Sequence, residues 1–312
     1  MSLITILASI APVFLIIVLG YLLRRNGIPN IEFWNLNDKL VYWVLMPCLL
    51  FYKTSTIEIS FGLVGSYAVV ILGGFGAALL FGLISARVAG LPNTMASSVM
   101  QGTGRHNTFI ALSIAERVFG SEGLSLAALA TALLIPVTNL SVVPLMVVLN
   151  QSGRRDGMFR AIVIDLGRNP LLIAVLLGVT TNIAGIGEIP VFHETTRLIG
   201  NAALPIVLMC VGANLRLRAM RASALPLALS ILGKFLVFPA IVVGLSLLLD
   251  LSRLETLVAL LFGAAPTASS AYTLSRQMGG DAPLMAAITT IQTGLAFLTL
   301  PLSLLLIEQL FH

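Results

Sequence analysis

Charge is what this chain has least of. Only 10% of its 312 residues are Asp, Glu, Lys or Arg, against about 25% in soluble domains. A soluble fold of this length needs a charged outer shell, so the scarcity excludes one. Cysteine is nearly absent too: Cys48 and Cys210 both fall in apolar stretches, which excludes a disulfide framework and leaves small core packing. His106, His193 and His312 are scattered and make no metal-ligand spacing. There is no Gly-x-x-x-x-Gly-Lys-Ser/Thr loop to cradle phosphates, which excludes direct drive by ATP. No Ser/His/Asp or paired-carboxylate arrangement shares a face, so enzymatic chemistry has no machinery. Neither a cofactor nor a metal is expected.

What is present is apolar. Hydrophobic residues make up 58% of the chain and the mean hydropathy is +1.01. This predicts an all-α polytopic membrane protein embedded in a lipid bilayer. The pI near 9.6 and net charge of +5 do not indicate nucleic acid, because the basic residues fall in loops between spans. No cleavable signal peptide is expected, since the first apolar run is full-length and its arginines, Arg24 and Arg25, come after it.

Ten spans are predicted, over roughly 3–23, 37–54, 61–86, 93–118, 122–149, 168–187, 193–213, 224–249, 253–277 and 282–309. The chain also repeats itself. At a shift of 158 residues Pro12 meets Pro170, Gly20 meets Gly178, Gly27-Ile28 meets Gly185-Ile186, and Pro47 meets Pro205. At a shift of 159, Ala127-Ala128 and Thr131 meet Ala286-Ala287 and Thr290, and Gly120-Ser121-Glu122 meets Gly279-Gly280-Asp281. A repeat of five spans must insert upside down relative to its first copy, which is the usual plan of a secondary transporter. The halves are 1–149 and 168–312. Residues 150–167 form a linker with Arg154, Arg155 and Asp156, ending in a stretch, 159–166, suited to the interface.

Alternate loops differ in charge. One set carries Arg24, Arg25, Arg87, Arg154, Arg155, Arg160, Arg216, Arg218, Arg221 and Arg276; the other carries only Lys53, Arg117, Arg197 and Arg253. Ten against four places the first set and the linker in the cytoplasm and both termini outside, in a cytoplasmic (inner) membrane.

The fourth span is abnormal. It runs Gln101-Gly102-Thr103-Gly104-Arg105-His106-Asn107-Thr108 in the middle of an apolar helix, which its two glycines weaken. An arginine at bilayer depth costs at least ~2.5–3.5 kcal/mol, so an aqueous cavity or an anionic partner is expected; the alternative is a static polar core. Its counterpart in span nine is Gly263-Ala264-Ala265-Pro266-Thr267-Ala268-Ser269-Ser270. Pro266 lacks a backbone donor and breaks or kinks the helix there. Two broken helices meeting at mid-membrane would aim half-helix N-termini at one cavity, which suits an anion. Lys234 in span eight has no acid near it in sequence. It could snorkel, pair with a carboxylate, or stabilise the crossing in place of a metal ion. Asp38 and Lys39 read as a solvated helix end, Arg168-Asn169 before Pro170 as a cap, and Gln292 and Asn139 as bridges between helices.

Taken together, Leu45-Met46-Pro47-Cys48-Leu49-Leu50-Phe51, Arg105-His106-Asn107-Thr108-Phe109, Asn169-Pro170 with Gly178, Leu204-Pro205, Lys234, Ala265-Pro266-Thr267-Ala268 and Gly279-Gly280-Asp281 resemble the auxin efflux carrier family. That family includes plant carriers and many bacterial permeases. The resemblance covers the full chain. It implies a five-plus-five inverted repeat similar to bile-acid symporters and sodium/proton antiporters, with spans four and nine crossed in a transport domain of helices 3–5 and 8–10. Spans 1, 2, 6 and 7 would form the scaffold and the homodimer contact. Unlike many plant relatives, this chain has no proline after Asn107 and no long cytoplasmic loop.

The leading expectation is a carrier for a small organic anion, such as a carboxylate, by elevator-like alternating access. The alternative is a sodium- or proton-coupled ion transporter of the same fold, which the lack of paired acids at the crossing disfavours; an embedded receptor or enzyme lacks an output domain. The expected substrate-binding residues are Gly104, Arg105, His106, Asn107, Thr108, Ala265, Pro266, Thr267, Ser269 and Ser270. Gln101, Lys234, Gln292 and Asp38 are expected to couple or support them.

Overall fold

In lipid every backbone amide must be satisfied within the protein, and a helix does this inside one segment. A computed structural model describes residues 3–56, 61–150, 158–216 and 223–311. Among them every regular element is helical. In chain order these are α1 Leu3–Arg25, α2 Ile31–Leu40, α3 Met46–Ser55, α4 Phe61–Val88, α5 Asn93–Gly104, α6 Thr108–Asn150, α7 Met158–Gly167 and α8 Pro170–Ile183. Then follow α9 Phe192–Asn201, α10 Ala203–Ala213, α11 Ala224–Leu232, α12 Phe238–Leu248, α13 Arg253–Ala264, α14 Ser270–Gln277 and α15 Ala282–Glu308. Most of the linker's charged stretch, including Arg154, Arg155 and Asp156, lies outside the described residues, as do Arg218 and Arg221.

Among the described residues, six stretches are long and apolar enough to cross a bilayer: 4–25, 65–88, 93–150, 192–213, 224–248 and 282–308. Only 33% to 56% of the most apolar window of each is buried inside the protein. The apolar surplus therefore faces outward, as on Leu15, Leu80, Ile84, Leu176, Leu236 and Leu306, and a protein with that exterior is multi-pass in a membrane. The other apolar segments are shorter or interrupted. Residues 31–55 are α2 and α3 joined by a π turn, Val41–Leu45; α8 has 14 residues; and α13 and α14 are separated by a break. The 58-residue stretch 93–150 is itself broken after Gly104 and kinked at Gly120, whose φ of 68° only glycine adopts readily.

Two π turns have one cause. Pro47 follows Val41–Leu45, and Pro239 follows Gly233–Val237. A proline ring collides with the carbonyl four residues earlier and cannot donate to it. Widening the preceding turn, so that Met46 N–H reaches Val41 O and Phe238 N–H reaches Gly233 O, avoids both problems.

Backbone features recur at nearly the repeat spacing. Positive φ appears at Gly27 (71°) and Gly185 (63°), 158 residues apart. It appears again at Gly120 (68°) and Gly279 (70°), 159 apart, and at Gly90 (66°) and Asp250 (51°), 160 apart. Helix contacts exchange in the same way. A Cβ on Gly20 would overlap the Met209 backbone, which brings α1 against α10, and a Cβ on Gly178 would press into Phe51 O and Thr54, which brings α8 against α3. Adding 158 to Gly20 gives Gly178, and subtracting 158 from Met209 gives Phe51. Small residues at such crossings let helices approach closely where lipid gives no hydrophobic drive between them.

Candidate functional site

The two helix breaks lie against each other. α5 ends at Gly104, and Arg105 turns to extended backbone (φ −68°, ψ 145°) while its N–H still reaches Gln101 O. α13 ends at Ala264, and Ala265 turns in the same way (φ −64°, ψ 139°) with its N–H on Leu261 O. Between the breaks, Asn107 N–H donates to Pro266 O at 2.7 Å. The Asn107 side chain then caps α6, Oδ1 accepting from Phe109 N–H (3.1 Å) and Ile110 N–H (3.2 Å). Gly102 and Gly104 do not themselves unwind the helix. A Cβ on Gly102 would meet Ser230 and Ile288, and one on Gly104 would meet Leu79. These glycines admit neighbours, and the break falls just after them.

A buried amide ties the breaks together. Gln292 on α15 accepts from Thr267 N–H (2.9 Å) through Oε1, and its Nε2 donates to Gly102 O (2.9 Å) and Ser230 Oγ (2.9 Å). The Thr267 hydroxyl lies 2.7 Å from Gln292 Oε1 and 2.9 Å from Gly102 O, and its one proton serves one acceptor at a time. Gln101 Nε2 donates to Ser275 Oγ at 2.8 Å. The bridging role expected of Gln292 thus extends across three helices and both breaks.

In front of the breaks is a cavity of about 770 Å³. Arg105, His106, Asn107 and Thr108 line it from one break, and Ala268, Ser269 and Ser270 from the other. Lys39, Arg216 and Arg276 add three cations, and Asp38 is the one carboxylate among the lining residues. Asp38 Oδ2 accepts from Asn214 Nδ2 at 3.1 Å. The guanidiniums of Arg105 and Arg216 bond to hydroxyls and not to acids: Arg105 to Ser270 Oγ (3.1 Å), Arg216 to the Tyr272 hydroxyl (3.0 Å), with Arg216 stacked 4.0 Å from the Tyr272 ring. The buried atoms His106 Nδ1, Ser269 Oγ and Thr138 Oγ1 have no hydrogen-bond partner among the described residues. Asn35, Lys39, Asn214, Arg216 and Arg276 are exposed lining residues, so the cavity opens at their end of the molecule.

The expected site residues therefore divide. Arg105, His106, Asn107, Thr108, Ser269, Ser270 and Asp38 reach the cavity wall. Gly104, Ala265, Pro266, Thr267, Gln101, Lys234 and Gln292 are not among the lining residues. Arg216 and Tyr272 also line the cavity, and the sequence does not mark them for it. Arg216 looks like one more loop cation until folding lays it on Tyr272, 56 positions on, and no local pattern marks that pairing.

A chain whose described elements are all helical, with an apolar exterior and a polar, cation-lined cavity at two helix breaks, is by class a multi-pass membrane transport protein. The family model for membrane transport proteins matches residues 145–304, and the chain belongs to that family, the auxin efflux carriers. It is also 27% identical over 308 residues to an uncharacterized transporter of Methanothermobacter thermautotrophicus, covering 94% of this chain and 96% of that protein.

Proposed function

We propose that this transporter carries a small organic anion, a carboxylate, across the cytoplasmic membrane by elevator-like alternating access. The observation that carries this reading is the charge of the cavity: four cationic side chains, Lys39, Arg105, Arg216 and Arg276, against the single carboxylate of Asp38. Arg105 would bind the carboxylate. Asn107 Nδ2, Ser269 and Ser270 would complete its hydrogen bonds, and the N-terminal ends of α6 and α14 would add positive potential. Tyr272 and Arg216 would cover the organic body. A sodium- or proton-coupled ion transporter of the same fold is the competing reading. It lacks an acid at the breaks, whose described residues contain no carboxylate.

The recurring positive φ angles, the paired breaks and the exchanged contacts Gly20–Met209 and Gly178–Phe51 support ten spans arranged as two inverted five-helix repeats, 1–149 and 168–312. In that arrangement α1–α3 and α8–α10 form the scaffold and carry the homodimer contact. Helices α4–α6 and α11–α15, broken at Arg105–Asn107 and Ala265–Ser269, form the moving domain. The loop charges place both termini outside and the cavity mouth, rimmed by Arg216 and Arg276, on the cytoplasmic side; the conformation described is then inward-open.

The test is a thermal-shift screen of purified protein against carboxylic acids, sodium chloride and pH. Stabilisation by particular carboxylates, lost in Arg105→Ala, supports the anion carrier, and stabilisation by sodium alone would refute it. Orientation is checked separately by a cysteine probe at residue 153, a position outside the described residues. Labelling only after permeabilisation is expected, and labelling in intact cells reverses the topology.

A further inference from the structure

Lys234 is the least expected side chain in the molecule. It has no exposed surface, and no carboxylate among the described residues lies within ion-pair distance of it. An ammonium stripped of water without a partner is strongly destabilising, so something else must stabilise it. Its Nζ lies 3.5 Å from Gly104 O, the last carbonyl of α5, and 4.8 Å from the centre of the Phe238 ring. In an uninterrupted helix Gly104 O would accept from the N–H of residue 108; the break at Arg105–Asn107 removes that donor. What remains is the negative end of a half-helix dipole at mid-membrane, facing a cation and an aromatic face.

The local structure delivers Lys234 to this point. It lies in the π turn Gly233–Val237 forced by Pro239, which shifts its register by one residue relative to a regular helix. Gly233 beside it has no side chain, and a Cβ there would overlap Thr103, so the turn closes directly onto the end of α5.

We propose that the Lys234 ammonium is a built-in cation of the crossing. It takes the place that a bound alkali ion takes where half-helix carbonyl ends meet in a membrane. The breaks are then held in register without sodium, and the carrier needs no metal cation to fold or to cycle. Lys234 acts on the substrate only through the position of α5 and Arg105, which makes it a positioning residue. The proposal does not depend on the cargo being an anion.

The test uses the purified full-length protein and its melting temperature. The wild type is expected to melt at the same temperature in sodium chloride and in choline chloride of matched ionic strength. Lys234→Ala is expected to melt several degrees lower, and n-butylammonium chloride to recover most of that shift while n-butanol recovers none. A charge role and a space-filling role part at this point, since the alcohol has the same stem without the charge. Sodium stabilising the wild type by several degrees would overturn the proposal, as would Lys234→Ala melting at or above the wild type, or butanol matching butylammonium. If Lys234→Ala gives no folded protein, Lys234→Met keeps the stem without the charge: melting below the wild type supports the proposal, and melting at or above it refutes it. None of these readouts involves the organic anion, so their failure leaves the anion reading standing.

Discussion

The chain leaves α5 at Gly104 and α13 at Ala264 through the same backbone step, an extended residue whose N–H still reaches back four positions. The side chains placed on that step differ. The first break carries Arg105 and His106; the second carries Pro266, Thr267 and Ser269. Even the contact between them is one-sided. Asn107 and Pro266 stand 159 residues apart, the repeat spacing, and Asn107 N–H donates to Pro266 O. Pro266 has no proton to return. Two similar backbone steps thus meet at one cavity, while the charge of Arg105 enters from only one of them, and a shared backbone form does not require shared chemistry.

If the charged break does the binding, its loss is the largest effect to expect. Arg105→Ala removes a charge-assisted contact of about 1.5–3 kcal/mol, so uptake of a carboxylate into proteoliposomes should fall about 10- to 100-fold with folded yield near wild type. Normal uptake would assign Arg105 to a static core and erase the contrast between the breaks.

The bridge between the breaks comes next. Gln292→Leu leaves Thr267 N–H buried without its partner, at about 1–3 kcal/mol for the unsatisfied group, while Gly102 O keeps the Thr267 hydroxyl. A melting temperature lower by several degrees is expected, measured on detergent-purified protein. An unchanged melting temperature would show that the breaks hold without this link.

Pro266→Ala sharpens the comparison from the other side. It supplies a backbone N–H where the second break has none. The expected outcome is an unchanged or raised melting temperature together with uptake slowed several-fold. A proline that only shapes the helix predicts the reverse order, with stability lost and the surviving protein transporting normally. The smallest effect belongs to Tyr272→Phe, which keeps the ring under Arg216 and removes one hydrogen bond of about 1 kcal/mol. Its apparent KM should rise about fivefold, with maximal uptake unchanged.

Much of this was legible along the chain. Hydropathy alone indicates a membrane protein, because a long apolar run has no other stable solvent. Polar residues in the middle of such a run mark the Arg105–Asn107 and Pro266 breaks, because lipid does not tolerate them without a reason. Gly102 and Gly104 play a different part in the fold from the one their sequence implies. They read as helix breakers, yet they stay helical and make room for Ser230, Ile288 and Leu79. That distinction depends on which helix lies opposite, and neighbours far apart in sequence leave no local trace.

The sequence by itself determined the solvent, the helical class and the two positions where helices cannot continue. Each is a local property of composition or backbone chemistry. Only the tertiary structure decided that Arg216 joins the cavity wall through Tyr272, that Gln292 spans both breaks, and that Lys234 meets the open end of α5 in place of an acid. These are pairings across 56 to 190 residues, fixed by glycine-sized gaps and two proline-forced π turns. Such small shifts of register change which side chains meet without altering the hydropathy pattern.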